Sequence, residues 1–370
     1  MAKRAGRVVS EFELAPWLDA AARQLLGKNK LFPQSLLLIG QKGTGKLNLA
    51  QHLASGLLCE SPTKAGQACG KCQQCRLFRA GSHPDFHVVL TEKQSVGEET
   101  RLAAYGRRYL TDNQRKTGRK KHSESILVDQ IRDLSANIVS TPQLADKTVA
   151  LISPADSLNS NAANSLLKIL EEPGETTCFL LLAHRIASLP ATIRSRCQHV
   201  HIALPSRSQS KSWLTDKHGL EPREADISLD LAAGAPKTAL QFGKNKLVSK
   251  RSDWLNSLDD LARNGAAETA IASQWNKSDA RSGLTWLYGW IRDLIVLKAC
   301  AGRPLSVIQL FNSDCQPRLR NYAKRLDLVQ LMTYLSLIEQ RLALLGQSNA
   351  DSLLVLEEVL GKWNSLFSKR

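Results

Sequence analysis

The sequence predicts an α/β domain with a parallel sheet covered by helices on both faces, followed by an all-helical remainder. Three observations predict it. Short, nearly continuous apolar runs alternate with helical stretches to about residue 204, as buried parallel strands and their crossovers should. The first run leads into Gly40-Gln41-Lys42-Gly43-Thr44-Gly45-Lys46, a glycine-rich loop of the kind that surrounds phosphate. After about residue 205 no strand pattern remains.

Taken in order, residues 15–28 read as an amphipathic helix with Leu18, Ala21, Ala22, Leu25 and Leu26 on one face. Strands are expected at 35–39, 85–90, 148–153, 178–183 and 199–204, with helices at 46–58, 127–139 and 160–171 between them. Pro173 ends the last of these. A small helical region runs to about Gly234-Ala235-Pro236-Lys237, and residues 246–370 are helical throughout. There Leu255, Leu258 and Leu261 fit one helix, and Leu284, Leu287, Ile291, Leu294 and Ile295 another. Asn349 stands where it would cap a final helix bearing Leu353, Leu354, Leu356, Val359 and Leu360. Trp254, Trp275, Trp286, Trp290 and Trp363 lie at helical spacing, which favours core over ligand binding. The domains expected are therefore 1–204, 205–245 and 246–370.

A net charge of +16 and a pI near 9.6 favour an acidic partner, nucleic acid or the acidic face of another protein. No apolar run approaches the roughly 18 residues of a membrane span. The basic start, Met1 to Arg7, leads into Ser10-Glu11-Phe12-Glu13 and not into an apolar stretch, so no secretory signal is expected. Cys59, Cys69, Cys72 and Cys75 cluster, whereas Cys178, Cys197, Cys300 and Cys315 are scattered. That distribution suits a metal site in a reducing, cytoplasmic compartment better than a disulfide framework. Residues 101–121, within an insertion spanning about 91–125, hold eight Lys and Arg against the single acid Asp112, with Tyr105 and Tyr109 interleaved. This reads as a mobile basic insertion whose cations would meet phosphates and whose tyrosines would stack on bases. A solvated loop without a ligand is the competing reading.

The chemistry concentrates in three places. In a phosphate-binding loop, Gly40, Gly43, Thr44 and Gly45 bring backbone N–H groups close to phosphate oxygens and Lys46 reaches the outer phosphates. The next position should be Ser or Thr to hold Mg²⁺ and is Leu47, whose apolar side chain would face the place of a hydrated metal. The strand ending Val149-Ala150-Leu151-Ile152 should run into an acid pair and runs into Ser153-Pro154; Asp156 comes three residues beyond Ser153, a poor substitute. ATP or ADP binding stays open, but no Mg²⁺ site and no efficient hydrolysis are expected. Cys59 with the C-x-x-C-x-x-C run Cys69, Cys72, Cys75 can complete a closed tetrahedral Zn²⁺ site, structural because it leaves no open position; an iron–sulfur cluster is the competing use. The third place is Thr192-Ile193-Arg194-Ser195-Arg196-Cys197, where an arginine at a domain edge could reach a neighbour's active site.

These pieces together resemble the delta-prime family of bacterial DNA polymerase III clamp-loader subunits, within the AAA+ clamp-loader family. The segment Asn161-Ala162-Ala163-Asn164-Ser165-Leu166-Leu167-Lys168-Ile169-Leu170-Glu171-Glu172-Pro173 and the downstream Ser195-Arg196-Cys197 also carry the likeness, which covers about the first 240 residues. The resemblance implies an AAA+ domain with a zinc module at about 59–75, a small helical lid and a helical collar that assembles a pentameric loader. It places Arg196 as an arginine finger acting in trans on ATP of an adjacent subunit, and Lys237 where active relatives carry a nucleotide-contacting arginine. It implies ATPase subunits (gamma/tau), the delta subunit, the sliding clamp and primer–template DNA as partners, a hetero-oligomer with no membrane association, and a non-hydrolysing part in a DNA-directed DNA polymerase, a nucleotidyltransferase. The missing acid pair separates the chain from the hydrolysing members. Two alternatives remain at this stage: an active clamp-loader ATPase, and a free-standing DNA-binding protein using the zinc module and the basic loop.

Overall fold

The computed structural model describes residues 14–27, 32–97, 100–115, 122–138, 141–264, 267–300, 309–347 and 350–367. They form two compact units divided between Leu204 and Pro205. In the first, a 3-10 turn (Pro16–Leu18) leads into α1 (Asp19–Leu26), so the expected first helix is shorter and tighter at its start, where Pro16 supplies no N–H. There follow β1 (Ser35–Ile39), α2 (Lys46–Leu57), α3 (Gln73–Ala80), β2 (Phe86–Leu90), α4 (Glu92–Val96), α5 (Arg101–Gly106), α6 (Asp112–Arg115), α7 (Val128–Ile138), β3 (Thr148–Ser153), α8 (Ser160–Glu171), β4 (Thr177–Ala183), α9 (Ala191–Ser195) and β5 (Gln198–His201).

Among the described residues the sheet is five-stranded and wholly parallel, in the order β2-β3-β4-β1-β5. β5 stops at His201, earlier than the sequence suggests, because its partner β1 ends at Ile39 where the glycine loop begins. The pleat sends alternate side chains to opposite faces. Leu36 and Leu38 join a core with α1 and α2, while Leu37 and Ile39 join a second with α7 and α8. Both faces are therefore dry, which is why these strands read as unbroken apolar runs. Asn159 caps α8 by accepting the Ala162 N–H at 2.7 Å.

The basic segment departs from expectation. Over 101–115 it is α5, a 3-10 turn (Arg107–Tyr109) and α6, packed on the sheet domain. Tyr105 is buried against Phe86 and Phe78, with ring centroids 4.8 and 6.3 Å away, and its hydroxyl accepts the His83 N–H at 3.0 Å. Tyr109 is buried too, its hydroxyl bonded to His87 Nδ1. Neither tyrosine is available to stack on a base. The arginines serve backbone carbonyls: Arg107 donates to Ser95 O at 3.0 Å, Arg115 to Leu110 O at 2.8 Å, and Arg108 to His83 O at 3.2 Å while lying over the Tyr105 ring. Lys116, Arg119, Lys120 and Lys121 lie outside the described residues.

The second unit is helical: α10 (Arg207–Ser212), α11 (Pro222–Leu231), α12 (Pro236–Lys244), α13 (Leu247–Asn264), α14 (Glu268–Ala299), α15 (Gln316–Arg325), α16 (Leu328–Gln347) and α17 (Ser352–Ser365). Pro236, expected near a helix end, instead opens α12, a first-turn position that suits a residue without an N–H. α14 breaks at Asp279, whose carboxylate accepts the Ser282 N–H at 3.2 Å and so caps the second half. Asn349 lies outside the described residues; the cap of α17 is Asp351, which accepts the Leu353 N–H at 2.9 Å. Trp254, Trp275, Trp286 and Trp290 form a chain of buried indoles 5.6 to 6.1 Å apart, and Trp363 is buried beyond Tyr322.

Burial, with Arg108 adding to it, pushes the His87 imidazole down to about 4. Its folded pKa thus lies below the unfolded value of about 6.5, so the neutral ring contributes stability that is complete above that value and is lost as pH falls toward 4. Urea unfolding across this window should show stability falling with pH, and His87→Gln should flatten the fall. An unaltered slope in the variant would show that His87 is not the responsible group.

Candidate functional site

The loop after β1 sits at the carboxyl edge of the sheet. Gly43 and Gly45 have φ of 87° and 95°, left-handed values that favour glycine. Gly40 is required for another reason: a Cβ there would lie 2.5 Å from the Ile202 carbonyl oxygen. Thr44 is buried and its hydroxyl donates to Gln41 O at 3.0 Å, while the Trp17 indole N–H, from the turn before α1, donates to Thr44 O at 2.9 Å. The loop is thus fully built.

Its lysine is turned inward. Lys46 is buried at 4% exposure and its ammonium donates to Gly40 O and, at 2.9 Å, to Gln41 O. Burial lowers its pKa to about 8, against the opposing pull of Asp156. His184, directly after β4, places Nδ1 3.3 Å from the ammonium and donates its backbone N–H to Asp156 Oδ1 at 3.2 Å. Burial first, then Lys46, depress the His184 pKa, so a neutral ring accepts from the lysine. Sequence reasoning missed His184; its place directly after an apolar strand was the available signal. Leu47 is half-buried against the core shared by α1 and α2. Ser153 is buried at the end of β3.

The four clustered cysteines come together. Cys59 follows α2, Cys72 caps α3, and Cys75 lies in its first turn. Sulfur separations of 3.8 Å (Cys59–Cys72), 4.0 Å (Cys69–Cys75) and 3.6 Å (Cys59–Cys75) match the roughly 3.8 Å edge of a tetrahedron with 2.3 Å zinc–sulfur bonds. Backbone N–H groups of Cys69, Cys72 and Cys75 point at sulfurs of the set, at 3.3, 3.4 and 3.5 Å, as they would toward thiolates. Such donors hold the Cys69 thiol at about 6, whereas burial raises Cys59 and Cys75. The donor set fits zinc. The loop that carries it docks tightly: a Cβ on Gly66 would lie 2.2 Å from Leu26 O, and one on Gly56 2.6 Å from Gly66 O.

Arg196 follows α9 and is exposed. Its guanidinium donates to Thr192 O at 3.2 Å and to the Glu171 carboxylate at the end of α8. Lys237, in the second unit, is pushed down to about 8 by burial and by Lys217. No helix among the described residues is long and apolar enough to cross a membrane.

Purified chain should hold about one equivalent of zinc, and Cys72→Ser should release it and lower the melting temperature by several degrees, since metal binding of this kind is folding free energy. Elemental analysis paired with thermal melts reads both; a metal-free chain with unchanged melting would reject the site.

Two family models match, one described as "DNA polymerase III, delta subunit" over residues 21–206 and one as "DNA polymerase III, delta subunit, C terminal" over 245–365. The DNA polymerase III subunit delta' of Pseudomonas aeruginosa is 31% identical over 96% of this chain and 98% of its own length. That of Yersinia pestis is 32% identical over 84% of this chain and 87% of its own. Among solved structures, a DNA polymerase III gamma subunit-related protein of Thermotoga maritima aligns with 95% of this chain and 99% of its own at 14% identity, with a TM-score of 0.41. With both units matched and the likeness spanning nearly the whole length, the chain belongs to the delta-prime subunit family of DNA polymerase III.

Proposed function

We infer that the chain is a non-hydrolysing clamp-loader subunit that lends Arg196 in trans to the ATP site of a neighbouring subunit. The observation that carries this reading is the pairing of a degraded loop with an intact, exposed arginine. Leu47 offers no oxygen to Mg²⁺ and packs into apolar core, and Ser153 stands where a carboxylate is needed. Asp156, the acid whose charge acts on Lys46, is engaged by the His184 N–H. Lys46 is satisfied by carbonyls of its own loop, so an entering phosphate must first displace it. Arg196, by contrast, is exposed at the edge of the domain on a segment fixed by the buried Ile193.

Family membership supports partners of the polymerase III loader: ATPase subunits, a delta subunit, the sliding clamp and primer–template DNA in a hetero-oligomer. The division into an AAA+ domain, a lid over 205–245 and a collar over 246–370 belongs to the same reading. It is supported by the family-model matches, which end at 206 and resume at 245.

Two outcomes follow. The isolated chain should show no ATP turnover with Mg²⁺, and Leu47→Thr should not create it, because Ser153 still lacks the acid; steady hydrolysis by either form would sink the non-hydrolysing reading. In a reconstituted loader with clamp and primed DNA, Arg196→Ala should lower turnover strongly with assembly intact. An arginine finger is worth about 10³–10⁵ at its own site, diluted here by the other sites. Unchanged turnover would leave Arg196 a surface residue.

A further inference from the structure

We propose that Glu171 is the positioning residue for Arg196, holding its guanidinium in one orientation before any neighbour is met. This rests on the trans-acting role of Arg196 set out above. Glu171 is the last residue of α8 and Arg196 the first after α9. The two helix ends are held together by one apolar core containing Leu166, Leu170 and Ile193. Both side chains therefore leave backbones that are fixed relative to each other.

Two contacts then restrain the arginine head: the Thr192 carbonyl takes one terminal N–H at 3.2 Å, and the Glu171 carboxylate takes one from the other terminal nitrogen. A guanidinium carries five N–H donors in a rigid plane. Two contacts use two of them, set the plane and leave three for a phosphoryl oxygen. A long side chain free at a domain edge would have to be ordered at each encounter; one already ordered presents its donors in a single geometry. The carboxylate remains at half exposure, with 49% of the Glu171 side chain and 36% of the Arg196 side chain accessible. An ion pair so exposed contributes little to stability, so its removal leaves the fold intact and exposes any effect on the reaction.

The test is a double-mutant cycle in the full reconstituted loader, with clamp and primed DNA, reading kcat and KM for ATP and checking assembly. Arg196→Ala sets the size of the arginine's contribution. Glu171→Ala is expected to lower kcat about 2- to 10-fold with KM unchanged, within the range of coupling between contacting residues. Glu171→Gln, which keeps the accepting oxygen, should recover most of that loss. In the Arg196→Ala background, Glu171→Ala should do nothing more. A rise in kcat would mean that Glu171 restrains the arginine instead of aiming it. An unchanged kcat, or a further fall in the double variant, would equally overturn the positioning role while leaving the arginine's own effect standing. If Arg196→Ala itself has no effect, the trans-acting reading fails first, and the positioning role falls with it.

Discussion

The glycine loop and the residues gathered beside it in the first unit depend on the parallel pairing of β1 between β4 and β5. Because Ile39 is opposite Ala183 and Ile152 opposite Leu181, the chain leaves the sheet at one edge after β1, β3 and β4. Gly40, Ser153 and His184 are gathered there by register alone, the position at which open parallel sheets build ligand sites. The same pairing buries both faces of β1, whose Leu36 to Ile39 are all apolar, so the register tolerates no slip.

That constraint explains why the phosphate-type loop keeps its backbone shape. Gly40 faces the Ile202 carbonyl and Gly43 and Gly45 hold left-handed turns, so each glycine is demanded by the chain's own path whether or not phosphate ever arrives. At 47 the packing requires no oxygen, since Leu47 lies against the apolar core. The loop therefore keeps the backbone shape of a phosphate-binding loop and its lysine, with Leu47 and Ser153 where a hydroxyl and a carboxylate would stand.

The same distinction separates what was legible in the sequence from what was not. The strands stood out because burial on two faces leaves an unbroken apolar signature, and the cysteines because C-x-x-C-x-x-C is a metal-ligand spacing. Residues 101–115 misled because charge was read as exposure. Arginine and tyrosine carry apolar bodies with polar tips, and here the bodies pack while the tips bond to backbone groups of neighbouring turns. Partners such as Glu171 for Arg196, 25 residues apart, and His184 for Lys46, 138 apart, have no local pattern at all. They exist only once the sheet has set which ends meet.

Trp17 carries a consequence of its own. Of the seven tryptophans, the other six lie in the second unit, most of them in one buried chain. Trp17 alone belongs to the first unit, and its indole N–H is bonded to the loop at Thr44. The first unit thus contains a single tryptophan, attached to the one loop whose occupancy is in question. With the other six indoles replaced by phenylalanine, its emission would report the state of that loop without any label.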